Sequence, residues 1–318
     1  MMHYSLALLA LLLGTLPCMA TNDVDSTDWH STAVQMSSLM NIVRTNKSLE
    51  ARKGASADLE KLLQTTLEHK GSYQHAFADL EGVSLLQPED KAFRIFTWQL
   101  YVDKDHYKYH GFIQTKDGNV FPLTDGSDNM RTVEFMTLRH TDWYGALYYN
   151  LQSFKHEGKE AYLLCGFDAF SFYNRRKVLD VLYFDGNGKP RFGKSVLQMK
   201  DGRGQIRKVK RFLMEYSASV NVTLNYSEEQ EMILYDHLIY GSPIANAGPS
   251  SVPDGSYCGL KLDRSGMWTF VDKVHKDDPN NVLVNAASFK EAMQDGQNQK
   301  KESARNKKQQ KDLFGRQR

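Results

Sequence analysis

The clearest pattern in the chain is an alternation of apolar and polar residues between Phe212 and Tyr226, in which only Leu213 departs from the polar series. A period of two predicts a strand with one buried face and one face toward water or polar partners. At ~3.3 Å per residue the stretch would extend for about 50 Å, whereas a usual strand has about 5–6 residues. We therefore predict a bend, bulge or tight turn near Ser217 to Ser219.

Aromatic and β-branched runs bounded by turn residues predict further strands on both sides of this stretch. They lie at residues 93–102, 107–115, 144–154, 160–167, 177–184, 190–199, 232–240, 256–262 and 267–271. Asp-Gly in the intervening turns at 116–119 and 185–188 is a strong hairpin signal. Because strands joined by tight turns run antiparallel, the sequence predicts a mainly β antiparallel meander over residues 93–275. A barrel or a sandwich is favoured over a propeller, since no internal repeat is present.

The period changes to 3.6 within residues 21–92, where two apolar stripes predict one or two short helices packed on the β body. The first stripe comprises Ala33, Met36, Met40 and Val43. The second stripe comprises Leu59, Leu62, Leu63 and Leu67. Ser31 or Thr32 is the predicted N-cap of the first helix. Residues 46–56 are then a predicted linker, and Ser56 is the predicted N-cap of the second helix.

The first twenty residues match the pattern of a secretory signal peptide. An apolar run from Leu6 to Leu13 is followed by Gly14, and Ala20 offers a small residue for cleavage. The run is well short of the roughly 20 apolar residues that a membrane span needs, so a cleaved signal is favoured over an anchor. We therefore expect residues 1–20 to be removed and the protein to be periplasmic or extracellular.

The charge distribution separates the body from its C-terminal end. The chain has 40 Lys and Arg against 38 Asp and Glu, a net charge of +2, which argues against a dedicated nucleic-acid binder. Residues 276–318 are a predicted linker and tail, in which 290–318 hold nine Lys or Arg against four Asp or Glu. Because residues 290–318 contain almost no apolar residue, they are expected to be disordered, or to act as an electrostatic tether to an anionic surface. No motif for a nucleotide or redox cofactor is present, and none is predicted to bind.

Two cysteines, Cys165 and Cys258, remain after removal of the leader. In an oxidising compartment they can pair as a disulfide, which requires their Cα atoms to lie within roughly 7 Å. Each cysteine also falls in a predicted strand, so two separate buried thiols are the alternative. The sequence leaves both alternatives open.

His140, Asp142 and His237 are candidates for acid–base chemistry, because a histidine with a carboxylate can serve as a base or a metal ligand. His140 and Asp142 would share one face of an extended strand, whereas His237 and its neighbour Asp236 would point to opposite faces. No nucleophile motif accompanies them. They support a secreted hydrolase with a His/Asp or metal site as an alternative function.

Aromatic residues suggest a second kind of site. Trp98, Trp143 and Tyr148 can form a surface on which a sugar ring packs, with Arg175 as a polar anchor. The alternative is that these rings belong to the core or to cross-strand pairs. Export, aromatic-rich strands and the lack of a catalytic motif favour non-enzymatic binding of a carbohydrate or another cell-envelope component. A scaffold for another envelope protein is a further alternative.

Six segments of the chain carry a resemblance to other proteins, and they lie at residues 93–99, 143–150, 176–182, 188–193, 211–217 and 236–238. The first has the sequence Phe-Arg-Ile-Phe-Thr-Trp-Gln, and the second has Trp-Tyr-Gly-Ala-Leu-Tyr-Tyr-Asn. This pattern resembles an uncharacterised family of exported, β-rich bacterial proteins over about residues 56–275. The resemblance implies export and a β-rich body. That family has no assigned activity, so the resemblance assigns no functional residue.

Overall fold

The computed structural model describes residues 28–241 and 250–274 of the chain. The predicted signal peptide at residues 1–20 and the predicted tail at 276–318 lie outside the described residues. No helix within the described ranges combines the length with the apolarity that crossing a bilayer requires.

Helix α1, Trp29–Thr45, buries the first apolar stripe that the sequence predicts. The buried residues are Ala33, Met36, Met40 and Val43. Its N-cap is Asp28 instead of Ser31 or Thr32, because the Asp28 carboxylate accepts the backbone N–H of Ser31 at 3.0 Å. A carboxylate also suits the positive end of the helix dipole, and the helix therefore begins earlier than predicted.

Helix α2, Leu49–Glu68, begins well before its predicted cap at Ser56. The hydroxyl of Ser48 accepts a backbone N–H of the first turn and caps the helix. The predicted linker at 46–56 is therefore wrong beyond its first three residues. Ser56 lies on the buried face of α2, where its hydroxyl accepts the indole N–H of Trp98 at 3.2 Å.

Sixteen strands form three sheets in the described part of the chain. Sheet 1 contains β1 (Ser84–Leu86), β2 (Phe93–Asp103), β3 (His106–Thr115) and β4 (Val120–Thr124). Sheet 2 contains β5 (Leu138–Arg139), β6 (Leu147–His156), β7 (Lys159–Asp168), β8 (Asn174–Phe184), β9 (Pro190–Phe192) and β12 (Arg211–Ser217). Sheet 3 contains β10 (Leu197–Lys200), β11 (Ile206–Val209), β13 (Leu224–Ser227), β14 (Met232–Gly241), β15 (Ser250–Leu262) and β16 (Trp268–Val274). Short 3-10 helices occur at Ser72–Gln74, Ser127–Asn129, Val133–Phe135 and His140–Asp142.

The strand order shows a meander with one parallel pair. Sheet 1 has the order β1-β2-β3-β4, sheet 2 the order β5-β9-β8-β7-β6, and sheet 3 the order β11-β10-β16-β15-β14-β13. In sheet 2, β12 pairs with the first part of β8. All pairs are antiparallel except β10 with β16. The described strands close no barrel, so the predicted antiparallel meander is confirmed in its sandwich form.

Side-chain alternation stacks the elements as four layers, in the order helices, sheet 1, sheet 2, sheet 3. On β2, Phe96 and Trp98 face α1 and α2, whereas Phe93 faces sheet 2. On β7, Leu164 faces sheet 1 and Leu163 faces sheet 3. Sheets 1 and 2 are thus buried on both faces, which explains why strands such as β2 are apolar at nearly every position.

The long alternating stretch breaks where the sequence predicts a bend. Strand β12 ends at Ser217 and pairs with β8, whereas β13 begins at Leu224 and pairs with β14. The hydroxyls of Ser217 and Ser219 lie 2.8 Å apart in the connecting turn. The predicted strand at 190–199 divides in the same way into β9 and β10. Both breaks carry the chain from sheet 2 to sheet 3.

Cys165 and Cys258 are free thiols in the apolar cluster between sheets 2 and 3, on β7 and β15 respectively. Of the two alternatives that the sequence leaves open, the disulfide is not formed and the cysteines are two separate buried thiols. Burial raises the pKa of the Cys165 thiol to about 12 and also raises the pKa of Cys258. Both thiols are neutral near pH 7, which disfavours reaction at either sulfur.

Candidate functional site

The three aromatic residues predicted to form a sugar-binding surface are buried. Trp98, Trp143 and Tyr148 each have 0% exposure. Trp98 lies between α2 and sheet 1, while Trp143 and Tyr148 lie between sheets 1 and 2. The Trp143 indole N–H donates to the Tyr148 hydroxyl at 3.0 Å. Because protein atoms cover their ring faces, these residues form the core and offer no surface to a ligand.

His140 and Asp142 do not form the predicted pair. They lie in the 3-10 helix His140–Asp142, where the backbone is not extended and their side chains bond elsewhere. His140 Nδ1 donates to the Pro122 carbonyl at 2.9 Å. The Asp142 carboxylate accepts Nε of Arg139 at 2.8 Å.

His237 has a carboxylate partner that the sequence did not indicate. Its Nδ1 donates to Oδ2 of Asp254 at 2.9 Å across the β14–β15 pair, at a register shift between Asp236 and Leu238. The hydroxyl and backbone N–H of Ser256, together with His237, lower the pKa of Asp254 to about 2. Asp254 was missed because the two residues are 17 positions apart and meet only through strand pairing.

A polar pocket of about 280 Å³ lies where the end of β7 meets the β2–β3 hairpin. We call it the Asp168 pocket. Its main lining residues are Asp105, Tyr107, Tyr109, Asp128, Tyr144, Asp168, Phe170 and Arg176. They come from four separate parts of the chain, and only strand pairing and layer packing bring them together.

The floor of the pocket is the buried carboxylate of Asp168. Its Oδ1 accepts the Tyr109 hydroxyl at 3.0 Å and the Phe170 backbone N–H at 2.9 Å. Its Oδ2 accepts the Tyr144 hydroxyl at 2.7 Å. Burial raises the pKa of Asp168, although these donors act in the opposite direction. Burial and the adjacent carboxylate also raise the pKa of Tyr109 and Tyr144, so both hydroxyls remain donors.

Arg176 forms one wall of the pocket in a fixed orientation. Its Nη1 donates to the Tyr144 hydroxyl at 3.3 Å, and its Nε and Nη2 donate to Oε2 of Glu215 at 3.0 and 2.8 Å. The guanidinium carbon lies 3.3 Å from the centre of the Phe170 ring. Phe170 itself has φ of +47°, a left-handed conformation that costs a residue with a side chain free energy. The hydrogen bond from its N–H to Asp168 helps to hold this conformation.

The loop between β7 and β8, which lines the pocket through Phe170, also carries two exposed aromatic rings. Phe172 and Tyr173 are 54% and 53% exposed, and their rings are nearly perpendicular with centres 5.0 Å apart. The Phe172 N–H donates to Oδ1 of Asp105, a pocket residue, at 3.2 Å. We call Phe172, Tyr173 and the half-buried Tyr107 the aromatic rim.

Arg175, the predicted polar anchor, belongs to this site but holds the loop in place. Its Nη1 donates to the backbone carbonyls of Ala169, at 2.8 Å, and of Ser171. Its guanidinium carbon also lies 5.9 Å from the centre of the Tyr107 ring. The signal for the rim is present in the sequence, since Phe172 and Tyr173 lie between the predicted strands 160–167 and 177–184, where large aromatic residues have no core to fill.

A second cavity of about 540 Å³ lies between β12 and the face of sheet 3, and we call it the sheet 3 groove. Its apolar lining includes Phe212, Met214, Leu238 and Phe270. Polar residues at its edges include Lys200, Asp236, His237 and Asp272. Lys200 Nζ donates to the Asp272 carboxylate at 2.7 Å. Within residues 28–241 and 250–274 there is no group of three His, Cys, Asp or Glu side chains that could hold a metal ion.

Comparisons with known proteins find no matching family model, no matching curated protein and no matching solved structure. Any function for this chain has to come from the geometry and chemistry of its own side chains.

Proposed function

We propose that this is an exported protein that binds a carbohydrate without catalysis, and that the ligand occupies the Asp168 pocket and the aromatic rim. The observation that carries the proposal is the exposure of Phe172 and Tyr173 beside a pocket of fixed polar groups. Two large aromatic rings that are more than half exposed, on a loop that also lines a cavity, are typical of a binding surface.

The chemistry of the site fits a sugar in two respects. The C–H faces of a pyranose ring are apolar and can pack on aromatic rings such as those of the aromatic rim. The hydroxyl groups at the edge of the ring can bond to carboxylates, of which Asp105 and Asp128 line the pocket. Polar groups of this kind set the orientation of a ligand, while the aromatic contacts provide most of the buried area.

The volume of the pocket limits the number of sugar units that it can enclose. Ligand pockets usually enclose about 300–1,000 Å³, so a cavity of about 280 Å³ suits one sugar unit. Further units would lie on the aromatic rim outside the pocket. The loop is held by Arg175 and by the contact of Phe172 with Asp105, which reduces the conformational entropy lost on binding.

The test is a screen of the full chain against cell-envelope and plant glycans, followed by two variants. Phe172→Ala/Tyr173→Ala removes the exposed rings, whereas Phe135→Ala removes a ring of equal exposure, 53%, away from the site. A ligand at about 100 times its Kd should stabilise the native state by roughly 2.7 kcal/mol, which a melting curve detects.

We expect a glycan that stabilises the wild type and Phe135→Ala but binds the double variant at least about tenfold more weakly, a loss of about 1.4 kcal/mol. If no glycan stabilises the chain, or if both variants bind like the wild type, this proposal is wrong. A negative screen would favour the alternative of a scaffold for another envelope protein.

The hydrolase alternative now depends on His237, since His140 and Asp142 bond to other groups. The hydrogen bond of His237 Nδ1 is to a carboxylate, Asp254, and not to a nucleophile. No specific contact therefore favours hydrolysis over binding.

A further inference from the structure

Tyr101 is an exposed aromatic residue that lies next to the aromatic rim without being part of it. It is near the end of β2, where Phe96 and Trp98 face the helices and are fully buried, whereas Tyr101 is 42% exposed. Its partner across the β2–β3 pair is Tyr107, which belongs to the aromatic rim and lines the Asp168 pocket. Tyr101 therefore adjoins the proposed site.

The rings of Tyr101 and Tyr107 form one continuous surface. Their centres lie 5.5 Å apart, and their planes are at an angle of 51°. This separation is close to the length of one sugar unit in a linear chain. Tyr107 lines the pocket together with Asp105, whose carboxylate accepts the N–H of Phe172 at 3.2 Å. Tyr101 is thus connected both to the pocket and to the loop that carries the other rings of the rim.

Arg52 of α2 fixes the backbone at Tyr101. Its Nε donates to the Tyr101 carbonyl at 3.0 Å, and its Nη2 donates to the Val102 carbonyl at 3.2 Å. The guanidinium carbon lies 5.0 Å from the centre of the Tyr101 ring, and Arg52 itself is only 6% exposed. An aromatic ring held in this way loses little conformational entropy when a ligand packs on it.

The end of the hairpin provides hydrogen-bonding groups beside this ring. A register shift after Tyr101 places Asp103 opposite His106, and His106 Nδ1 donates to Oδ1 of Asp103 at 2.8 Å. Both side chains are more than half exposed. A carboxylate and an imidazole can both bond to sugar hydroxyl groups.

We infer that Tyr101 is a further sugar subsite, and that the ligand is a linear oligosaccharide of at least three units. One unit occupies the Asp168 pocket, one packs on Phe172 and Tyr173, and one packs on Tyr101. This inference rests on the proposed carbohydrate binding, and continuity with that site is the reason for assigning a sugar to Tyr101. Linked units bind as one ligand, so each added contact raises the affinity.

The test measures affinity against the length of the sugar chain. Isothermal titration calorimetry of the full chain uses linear β-1,4-linked oligomers of glucose and of N-acetylglucosamine, from the monosaccharide to the longer oligomers. Tyr101→Ala removes the ring but keeps the backbone carbonyl to which Arg52 donates, so we expect it to fold, and its melting temperature checks this. Tyr101→Phe keeps the ring, and Phe135→Ala removes an exposed ring elsewhere.

We expect the affinity of the wild type for one of the two series to rise at least about tenfold from the monosaccharide to the trisaccharide. Tyr101→Ala should bind the monosaccharide like the wild type and the trisaccharide about tenfold more weakly. Tyr101→Phe and Phe135→Ala should follow the wild type at every length.

Three outcomes would overturn the subsite. One is an affinity of the wild type that does not change with length, or a Tyr101→Ala variant that keeps the full gain, and either would leave the pocket and rim as the site. Another is an equal loss in Tyr101→Ala at every length, which would give the ring a structural role. The third is no binding of either series, in which case the wider glycan screen still tests the proposed function separately.

Discussion

The buried carboxylate of Asp168 accepts hydrogen bonds from two tyrosine hydroxyls and a backbone N–H in place of bonds from water. A buried carboxylate of this kind is costly unless every lone pair that faces the protein is bonded. Here the bonds also join three parts of the chain, since Tyr109 is on β3, Tyr144 precedes β6 and Phe170 follows β7. The residue that forms the floor of the proposed site is therefore also a structural contact.

This dual role predicts a measurable cost for Asp168→Asn. The amide replaces an acceptor oxygen with a donor that faces a tyrosine hydroxyl, and we expect a loss of about 1–3 kcal/mol in the free energy of unfolding. Urea denaturation measures it. Asp128→Asn at the pocket mouth, where the side chain is 51% exposed, should cost less than about 1 kcal/mol. Equal losses in the two variants would contradict this account.

The lowered pKa of Asp254 predicts that the stability of the fold decreases at acid pH. Its folded pKa of about 2 is below the ordinary value of 3.8, so its contribution to stability is present above pH 3.8 and is lost as the pH falls through 2. The melting temperature of Asp254→Asn should therefore approach that of the wild type between pH 4 and pH 2. Ser256→Ala, which removes the strongest donor to Asp254, should show an intermediate change. Parallel curves over this range would rule out the effect.

The two buried thiols predict a simple labelling result. Cys165 and Cys258 are 0% and 4% exposed, so iodoacetamide should modify neither in the native protein and both in about 6 M guanidinium chloride. Site-by-site mass spectrometry without reductant provides the measurement. A residue that resists alkylation in denaturant until a reductant is added would reveal a disulfide.

At the scale of elements, the start of α2 shows how local signals compete. Ser48 and Ser56 are both suitable N-caps by composition, and the sequence favours Ser56 because acidic residues follow it. The helix extends back to Ser48 because Arg52 donates to the carbonyls of Asn46 and Tyr101, which fixes the first turn against sheet 1. A tertiary contact of this kind leaves no trace in local propensity.

Two serine substitutions distinguish these roles. Ser48→Ala should cost about 1 kcal/mol through loss of the cap. Ser56→Ala should cost about 1–3 kcal/mol, because it leaves the buried indole N–H of Trp98 without its partner. Thr65→Ala, on the exposed face of α2, is the control and should be near neutral. Thermal unfolding measures all three, and a neutral Ser48→Ala would place the start of the helix elsewhere.

Most strands were predictable because their signals are local, whereas the site was not. Strand β14 at Met232–Gly241 follows directly from its β-branched and aromatic run, and the Asp-Gly turns mark the hairpins. The Asp168 pocket depends on which sheets face one another, which no single segment encodes. The sequence alone favours a surface position for Trp98 because β2, which is buried on both faces, has no polar face that identifies its orientation.

At the scale of the whole molecule, export gives a prediction that is independent of the fold. If residues 1–20 are a signal peptide, the mature protein begins at Thr21, because Ala20 offers the small residue that cleavage needs. N-terminal sequencing of the protein recovered from its native host tests this. An intact residue 1, or recovery only from the cytoplasm, would contradict export and with it the proposed envelope ligand.

The stacking of the layers has a consequence for synthesis. Sheet 1 and most of sheet 2 come from the first part of the chain, but the apolar face of sheet 2 that carries Leu163 and Leu179 is covered by sheet 3, and four of the six strands of sheet 3 begin at Leu224 or later. Strand β10 pairs with β16 about seventy residues later, so a growing chain cannot complete sheet 3 until almost the end. Ribosome-bound or truncated chains therefore leave part of this apolar face exposed, which makes them prone to aggregation until β16 is made.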